Sequence, residues 1–162
     1  MGLNVGDVDN DGFEDIYIGT GLPQTDALVP NLLFWNRQGK ALEDITMYSR
    51  VGHLQKGHGI SFADLDKDGD YDVVVGHQGN YYYSYDGPAY STIEPLRYLL
   101  NTGTIAEPFF EEKTGAENPF NDVKILNRNR GPVFADIDED GDDDLFVGLR
   151  SSFRKNASDL IL

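Results

Sequence analysis

Residues 64–76 read DLDKDGDYDVVVG, and this stretch decides the fold. Residues 7–19 (DVDNDGFEDIYIG) and 136–148 (DIDEDGDDDLFVG) repeat its pattern. The common form is D-x-D-x-D-G-x-x-D, followed by three apolar residues and a glycine. Three copies of five fixed positions with the same apolar tail are too many to arise by chance, so the chain is built from repeated units.

The spacing of the acids predicts a calcium-binding loop. Ca²⁺ takes roughly 6–8 oxygen ligands in flexible geometry, and a loop that curls around one ion points alternate residues inward. Positions 1, 3, 5 and 9 supply carboxylates, position 7 supplies its backbone carbonyl, and glycine at position 6 makes the sharp turn. We predict about three Ca²⁺, one per loop. The predicted ligands are Asp7, Asp9, Asp11, Phe13 and Asp15; Asp64, Asp66, Asp68, Asp70 and Asp72; and Asp136, Asp138, Asp140, Asp142 and Asp144.

The residues after each loop exclude the helix–loop–helix type of calcium site. That site needs a bidentate glutamate at position 12, whereas here an apolar, β-type run fills the corresponding stretch. Each loop must therefore lead into a strand. Mg²⁺ is less favoured because it prefers rigid octahedral sites that retain water. Lys67, at position 4 of the second loop, is expected to point to solvent.

Each unit is predicted to hold four strands. A short apolar stretch precedes each loop, the apolar run follows it, and a third and a fourth strand come after an insertion. Residues 1–50 form the first unit with loop 7–15, and residues 51–115 form the second with loop 64–72. Residues 116–162 form a linker and a partial third unit with loop 136–144. We predict an all-β fold of antiparallel four-stranded blades of a β-propeller, with about two and a half blades present.

Composition excludes several classes of function. The 162 residues carry a net charge of -15, which repels nucleic-acid phosphates, and no cysteine is available for disulfides or zinc. No apolar run approaches the ~20 residues of a membrane-spanning helix, so membrane insertion is not expected. Met1 leads almost at once into the first motif, so we expect no signal peptide in these residues. No serine-hydrolase motif is present, and we expect no enzyme activity.

The repeats resemble the FG-GAP or VCBS repeats of integrin-α-type β-propellers. The resemblance is carried by FADLDKDGDYDVVVG (62–76), PVFADIDEDGDDDLFVG (132–148) and YLLNTGTIAEPFFEEKTG (98–115). The stretch VGHLQKGHGISFADLD (51–66) is similar to the cartilage-acidic-protein and ASPIC/UnbV branch. The resemblance implies Ca²⁺ between the first two strands of each blade. It also implies a ring of about seven blades, so the others would come from the same longer chain or from self-association.

Three functions remain open. The first is a calcium-binding scaffold for protein recognition or adhesion, located at the cell surface, outside the cell or in the periplasm, where Ca²⁺ is plentiful. The second is a carbohydrate-binding module or the non-catalytic scaffold of a polysaccharide-active enzyme. The tyrosine-rich insert 81–90 either packs over the edge of the blade or contacts a glycan or a protein partner. The third is a purely structural repeat array.

Overall fold

The computed structural model describes most of the chain. The described residues are 2–20, 29–54, 57–77, 81–82, 90–91, 96–104, 107–123 and 130–149. Within them the fold is all-β, and the only helical element is a single 3₁₀ turn at Gly115–Glu117. No helix in these residues is long and apolar enough to cross a membrane. The predicted start of a further strand near residue 160 lies outside the described residues.

The first sheet has four antiparallel strands that are neighbours in chain order. They are β1 (Gly2–Gly6), β2 (Asp15–Gly19), β3 (Leu32–Asn36) and β4 (Leu42–Asp44). The pairing of Gly6 with Asp15 makes the first acidic loop the hairpin between β1 and β2. This is the predicted four-stranded blade.

The second sheet repeats this arrangement, with a small separate hairpin in its insertion. The strands are β5 (Gly57–Ala63), β6 (Asp72–His77), the insert pair β7 (Tyr81–Tyr82) and β8 (Tyr90–Ser91), then β9 (Arg97–Asn101) and β10 (Phe110–Lys113). The sheet order is β5-β6-β9-β10, and β7 pairs only with β8. The tyrosines of β7 and β8 are among the described residues, and the other tyrosines of the insert lie outside them.

Within the described residues, the third unit is a two-stranded antiparallel pair. It consists of β11 (Arg130–Ala135) and β12 (Asp144–Leu149), and the third acidic loop joins the two strands. The first strand of each unit lies beside the first strand of the next, because β5 packs between β1 and β11. Asn4 Nδ2 donates to the Ile60 carbonyl at 3.2 Å across the first of these boundaries.

Two apolar cores lie between successive units. The first joins the first and second sheets and includes Tyr17, Leu33 and Val73, all fully buried. Phe62 packs against this core from β5, so close to Gly6 that a Cβ there would lie 2.7 Å from the ring. The second core joins the second sheet to the third pair, where Phe134 packs against Phe120 with ring centroids 5.8 Å apart.

Near-continuous apolar runs predict burial on both faces of each second strand, and among the described residues this is confirmed only for the middle unit. Val73, Val74 and Val75 are all fully buried, because the second sheet has a neighbour on each side. In β2 burial alternates, with Tyr17 buried and its neighbours half-buried. In β1, the side chains on the same face as these half-buried neighbours are also open to solvent. Leu3 is 62% exposed and Val5 is 46% exposed. The first sheet therefore covers one face against the second sheet and leaves its other face partly open.

Candidate metal loops

Two positions in each loop have a left-handed backbone. The glycines at position 6 have φ values of 90°, 96° and 91° at Gly12, Gly69 and Gly141. Position 4 is also left-handed, with φ values of 55°, 64° and 61° at Asn10, Lys67 and Glu139. The turn at position 6 was predicted from the sequence. The turn at position 4 was not, because only asparagine among these three residues is typical of that conformation.

The three loops share their internal hydrogen bonds. The position 1 carboxylate accepts the amide of the position 6 glycine, at 2.8 Å for Asp7, 3.0 Å for Asp64 and 3.0 Å for Asp136. The position 5 carboxylate accepts the position 7 amide at 2.9 Å in every loop. Since the same bonds recur in three independent copies, the motif itself sets the loop shape.

This shape brings three carboxylates together in each loop. In each group one ligand atom per residue lies within 4.8 Å of the others. The groups are Asp7, Asp9 and Asp15; Asp64, Asp66 and Asp68; and Asp136, Asp138 and Asp140. Positions 1 and 3 contribute to every group, whereas the third member is position 9 in the first loop and position 5 in the other two. No histidine joins these groups within the part of the chain that the structure describes.

One carboxylate oxygen fits a cation better than it fits the protein. Asp64 Oδ1 is buried and has no hydrogen-bond partner among the described residues, while its Oδ2 accepts the Gly69 amide. A buried acceptor without a donor is costly, and a hard cation with oxygen ligands satisfies it. The donor set of carboxylates therefore suits a hard divalent cation.

Position 9 does more than close the acidic cluster. The Asp15 carboxylate accepts the Val8 amide at 2.9 Å and the Asn36 amide at 2.7 Å. Asp72 likewise accepts the Leu65 amide at 3.3 Å and the Asn101 amide at 2.8 Å. This carboxylate thus ties the loop to the third strand of its own blade. The sequence did not predict this role, because the partner amides are distant in the chain.

The asparagine that ends each third strand completes the tie. Asn36 Nδ2 donates to the Glu14 carbonyl at 3.0 Å, and Asn36 Oδ1 accepts the Gly39 amide at 2.9 Å. Asn101 makes the corresponding pair of bonds in the second blade and also donates to the Val8 carbonyl of the first loop at 2.8 Å. The repeated Asn before a glycine turn was the available sequence signal for this role.

Burial changes the acidity of three of these carboxyls. It raises the pKa of Asp15 and of Asp72 to about 6, against the opposing effect of the backbone amides that they accept. Burial also raises the pKa of Asp9 to about 6, although the Trp35 indole donates to Asp9 Oδ2 at 2.6 Å. Without a cation, keeping these three carboxyls charged in the folded protein costs free energy.

The sequence predicted that Lys67 points to solvent, but the structure shows that it also contacts another loop. Its side chain is 63% exposed, but its ammonium forms an ion pair with Asp142 of the third loop. It is the only ion pair between described residues that involves a loop carboxylate. The position 4 side chain therefore has a partner in the next unit.

The FG-GAP-like repeat family model matches residues 7–75. The matched segment runs from the first residue of the first loop through the second loop and most of β6. It therefore covers two of the three loops and the boundary between the first two blades. Over these residues the chain is similar to FG-GAP-like repeats, and the repeated antiparallel four-stranded sheets are consistent with propeller blades.

Proposed function

We propose that the chain binds about three Ca²⁺, one in each acidic loop, and that the ions stabilise a propeller segment. The observation that carries the proposal is the recurrence of one loop geometry, with three carboxylates brought together each time. Repulsion among these carboxylates opposes the hairpin until a cation offsets it. The unpartnered oxygen of Asp64 supports the same conclusion for the second loop.

The calcium-loaded segment serves as a scaffold for adhesion or recognition of a protein or glycan partner outside the cytoplasm, with no catalysis of its own. Calcium sites of extracellular modules have Kd values on the order of 10⁻⁴–10⁻³ M, and such sites fill where Ca²⁺ is abundant. The exposed third loop suits that range. A glycan array probed in Ca²⁺ and in EDTA separates a carbohydrate ligand from a protein partner.

Calorimetric titration tests the metal part of the proposal. We expect about three Ca²⁺ per chain, and about two after Asp9→Asn, Asp66→Asn or Asp138→Asn, each of which removes a position 3 carboxylate. Asp122→Asn is the matched control, since this exposed acid lies outside the loops. Trp35 is the only tryptophan and contacts Asp9, so its fluorescence reports the first loop alone. A stoichiometry near zero at millimolar Ca²⁺ would contradict the proposal.

A further inference from the structure

The first and second loops touch through two bonds from one side chain. Asn10, at position 4 of the first loop, donates from Nδ2 to the Gly69 carbonyl at 3.1 Å. The same amide donates to Asp70 Oδ1 at 2.6 Å. Asp70 is at position 7 of the second loop. These contacts cross the boundary between two blades.

The second and third loops touch through the same two positions. Lys67 is at position 4 of the second loop, and its ammonium binds Asp142 Oδ1 at position 7 of the third loop. The chemistry differs, because one contact is amide to carboxylate and the other is an ion pair. The geometry is the same, which shows that the spacing of the blades and the backbone at position 4 create the contact, and that the side chains adapt to it.

The backbone explains why these two positions meet. Position 4 has the same left-handed backbone in each loop, and β1, β5 and β11 lie next to one another, so its side chain in the first two loops reaches the following loop. At position 7 the expected metal donor is the backbone carbonyl, which leaves the side chain free. Neither partner in the contact is therefore needed as a carboxylate ligand.

We propose that position 4 of each loop recognises the position 7 side chain of the following loop, and that this contact aligns neighbouring loops across the blade boundary. Asn10 aligns the second loop and Lys67 aligns the third. The alignment does not require metal. Its effect on ion binding rests on the proposed function, because a loop held in its closed shape is preorganised for a cation.

Charge makes the Lys67 contact the more informative one. A lysine ammonium is a cation at neutral pH, and that of Lys67 pairs with the Asp142 carboxylate. An exposed ion pair is weakened by salt, whereas the amide contact of Asn10 is less sensitive.

A charge reversal tests the contact directly. Lys67→Glu should speed amide exchange at Gly141 about threefold in EDTA at low salt, since that amide reports closure of the third loop through its bond to Asp136. It should also lower the melting temperature by about 2 °C. The backbone tolerates glutamate here, because Glu139 occupies the same position of the third loop with a φ of 61°.

The reversed pair provides the decisive result. Adding Asp142→Lys to Lys67→Glu should restore both the exchange rate and the melting temperature, and Lys67→Arg should preserve them. Lys40→Glu makes the same change of net charge on an exposed turn of the first blade and should leave Gly141 unaffected. A double variant whose losses add, with no rescue, would overturn the proposal.

A calcium arm keeps this test separate from the proposed function. In saturating Ca²⁺ the effect of Lys67→Glu on Gly141 exchange should shrink, because the ion itself closes the loop. If the chain bound no Ca²⁺, the effect of Lys67→Glu on Gly141 exchange would be the same in EDTA and in added Ca²⁺. The rescue in EDTA would still decide whether the two side chains recognise each other.

Discussion

The first and third loops have the same motif and the same internal hydrogen bonds, yet their surroundings differ. Asp9 and Asp15 in the first loop are buried, while every residue of the third loop is exposed. Asp15 accepts amides from its own loop and from β3. Asp144 accepts a hydrogen bond from only one amide among the described residues, that of Ile137 at 3.2 Å. The motif therefore shapes the loop, and the third strand of the blade determines its burial.

Removal of Ca²⁺ should have the largest effect and should separate the two loops. Each filled site adds about 2.7 kcal/mol at a hundredfold excess over Kd, and about 1 kcal/mol corresponds to roughly 2–4 °C. We expect EDTA to lower the melting temperature by about 10 °C or more, with little recovery in equimolar Mg²⁺. The third loop should release its ion first, because all its residues are exposed and no third strand among the described residues holds it closed.

Stepwise chelation checks this order. Trp35 fluorescence follows the first loop, and the Gly141 amide resonance follows the third. An unchanged melting curve after complete removal of metal would mean that the hairpins are stable without ions. Release from the first loop before the third would mean that burial of its carboxylates weakens the site more than preorganisation strengthens it.

Acid should stabilise the metal-free chain. The folded pKa values of Asp9, Asp15 and Asp72 are raised to about 6, so the folded state binds protons more tightly than the unfolded state. This contribution is absent well above pH 6, grows as the pH falls through 6, and is complete near the unfolded values around 4. In EDTA we expect the melting temperature to rise by about 5 °C between pH 7 and pH 5.

The matched scan in Ca²⁺ should run the other way, because protons compete with the ion for the same oxygens. Scanning calorimetry at both pH values measures the two slopes. Slopes of the same sign in EDTA and in Ca²⁺ would show that these carboxyls are not shared between protons and the cation.

Substitution of the position 6 glycines tests what the two loops have in common. Gly12 and Gly141 have φ values of 90° and 91°, and an added Cβ would meet nothing within 4 Å at either site. Valine should therefore cost about 1–3 kcal/mol through backbone strain alone and weaken the affected site roughly tenfold. Gly131→Val is the control, since its Cβ also meets nothing within 4 Å and its φ is not positive.

Calcium titration of these three variants measures the result. Similar losses at the first and third loops, with none in the control, would show that loop shape is intrinsic to the motif. A loss at only one loop would mean that the surrounding strands can compensate for the strain.

The smallest expected effect concerns the hydrogen bond from Trp35 to Asp9, which has no counterpart in the third loop among the described residues. Trp35→Phe removes the indole donor at 2.6 Å from Asp9 Oδ2 and leaves a buried carboxylate with one partner fewer. In EDTA this should lower the melting temperature by about 3 °C. Exchange at Gly141 should not change, because Trp35 does not contact the third loop. If Trp35→Phe left amide protection in the first loop as unchanged as in the third, the first loop would not depend on the indole.

The hairpins could be predicted from the sequence alone, whereas the contacts between them could not. The loop pattern and the apolar run after it predicted β2, β6 and β12, because these signals are local. The pattern predicts fourth strands over 41–46 and 108–114, whereas β4 covers only Leu42–Asp44 and β10 only Phe110–Lys113. All three residues of β4 are exposed, and solvent exposure gives no clear pattern to mark where pairing stops.

The contacts that distinguish one loop from another are long-range. Trp35 is 26 residues from Asp9, and Lys67 is 75 residues from Asp142. No local pattern specifies such pairs, since they depend on which blade lies beside which. The burial of Asp15 and Asp72 depends on the same arrangement, so their shifted pKa values could not be anticipated from the motif.

The alternation of side chains along β2 and β6 gives every blade two unlike surfaces. Tyr17 and Val74 face the following unit, while Val73 and Val75 face the preceding one. A surface of one kind complements only the other kind, so the contact is heterologous and has no two-fold symmetry. Successive units must then be related by a rotation that always has the same sense. Repetition of such a contact forms a ring where the rotation closes and an open helical array where it does not, and face-to-face pairing of identical surfaces would leave the contacts described above unmade.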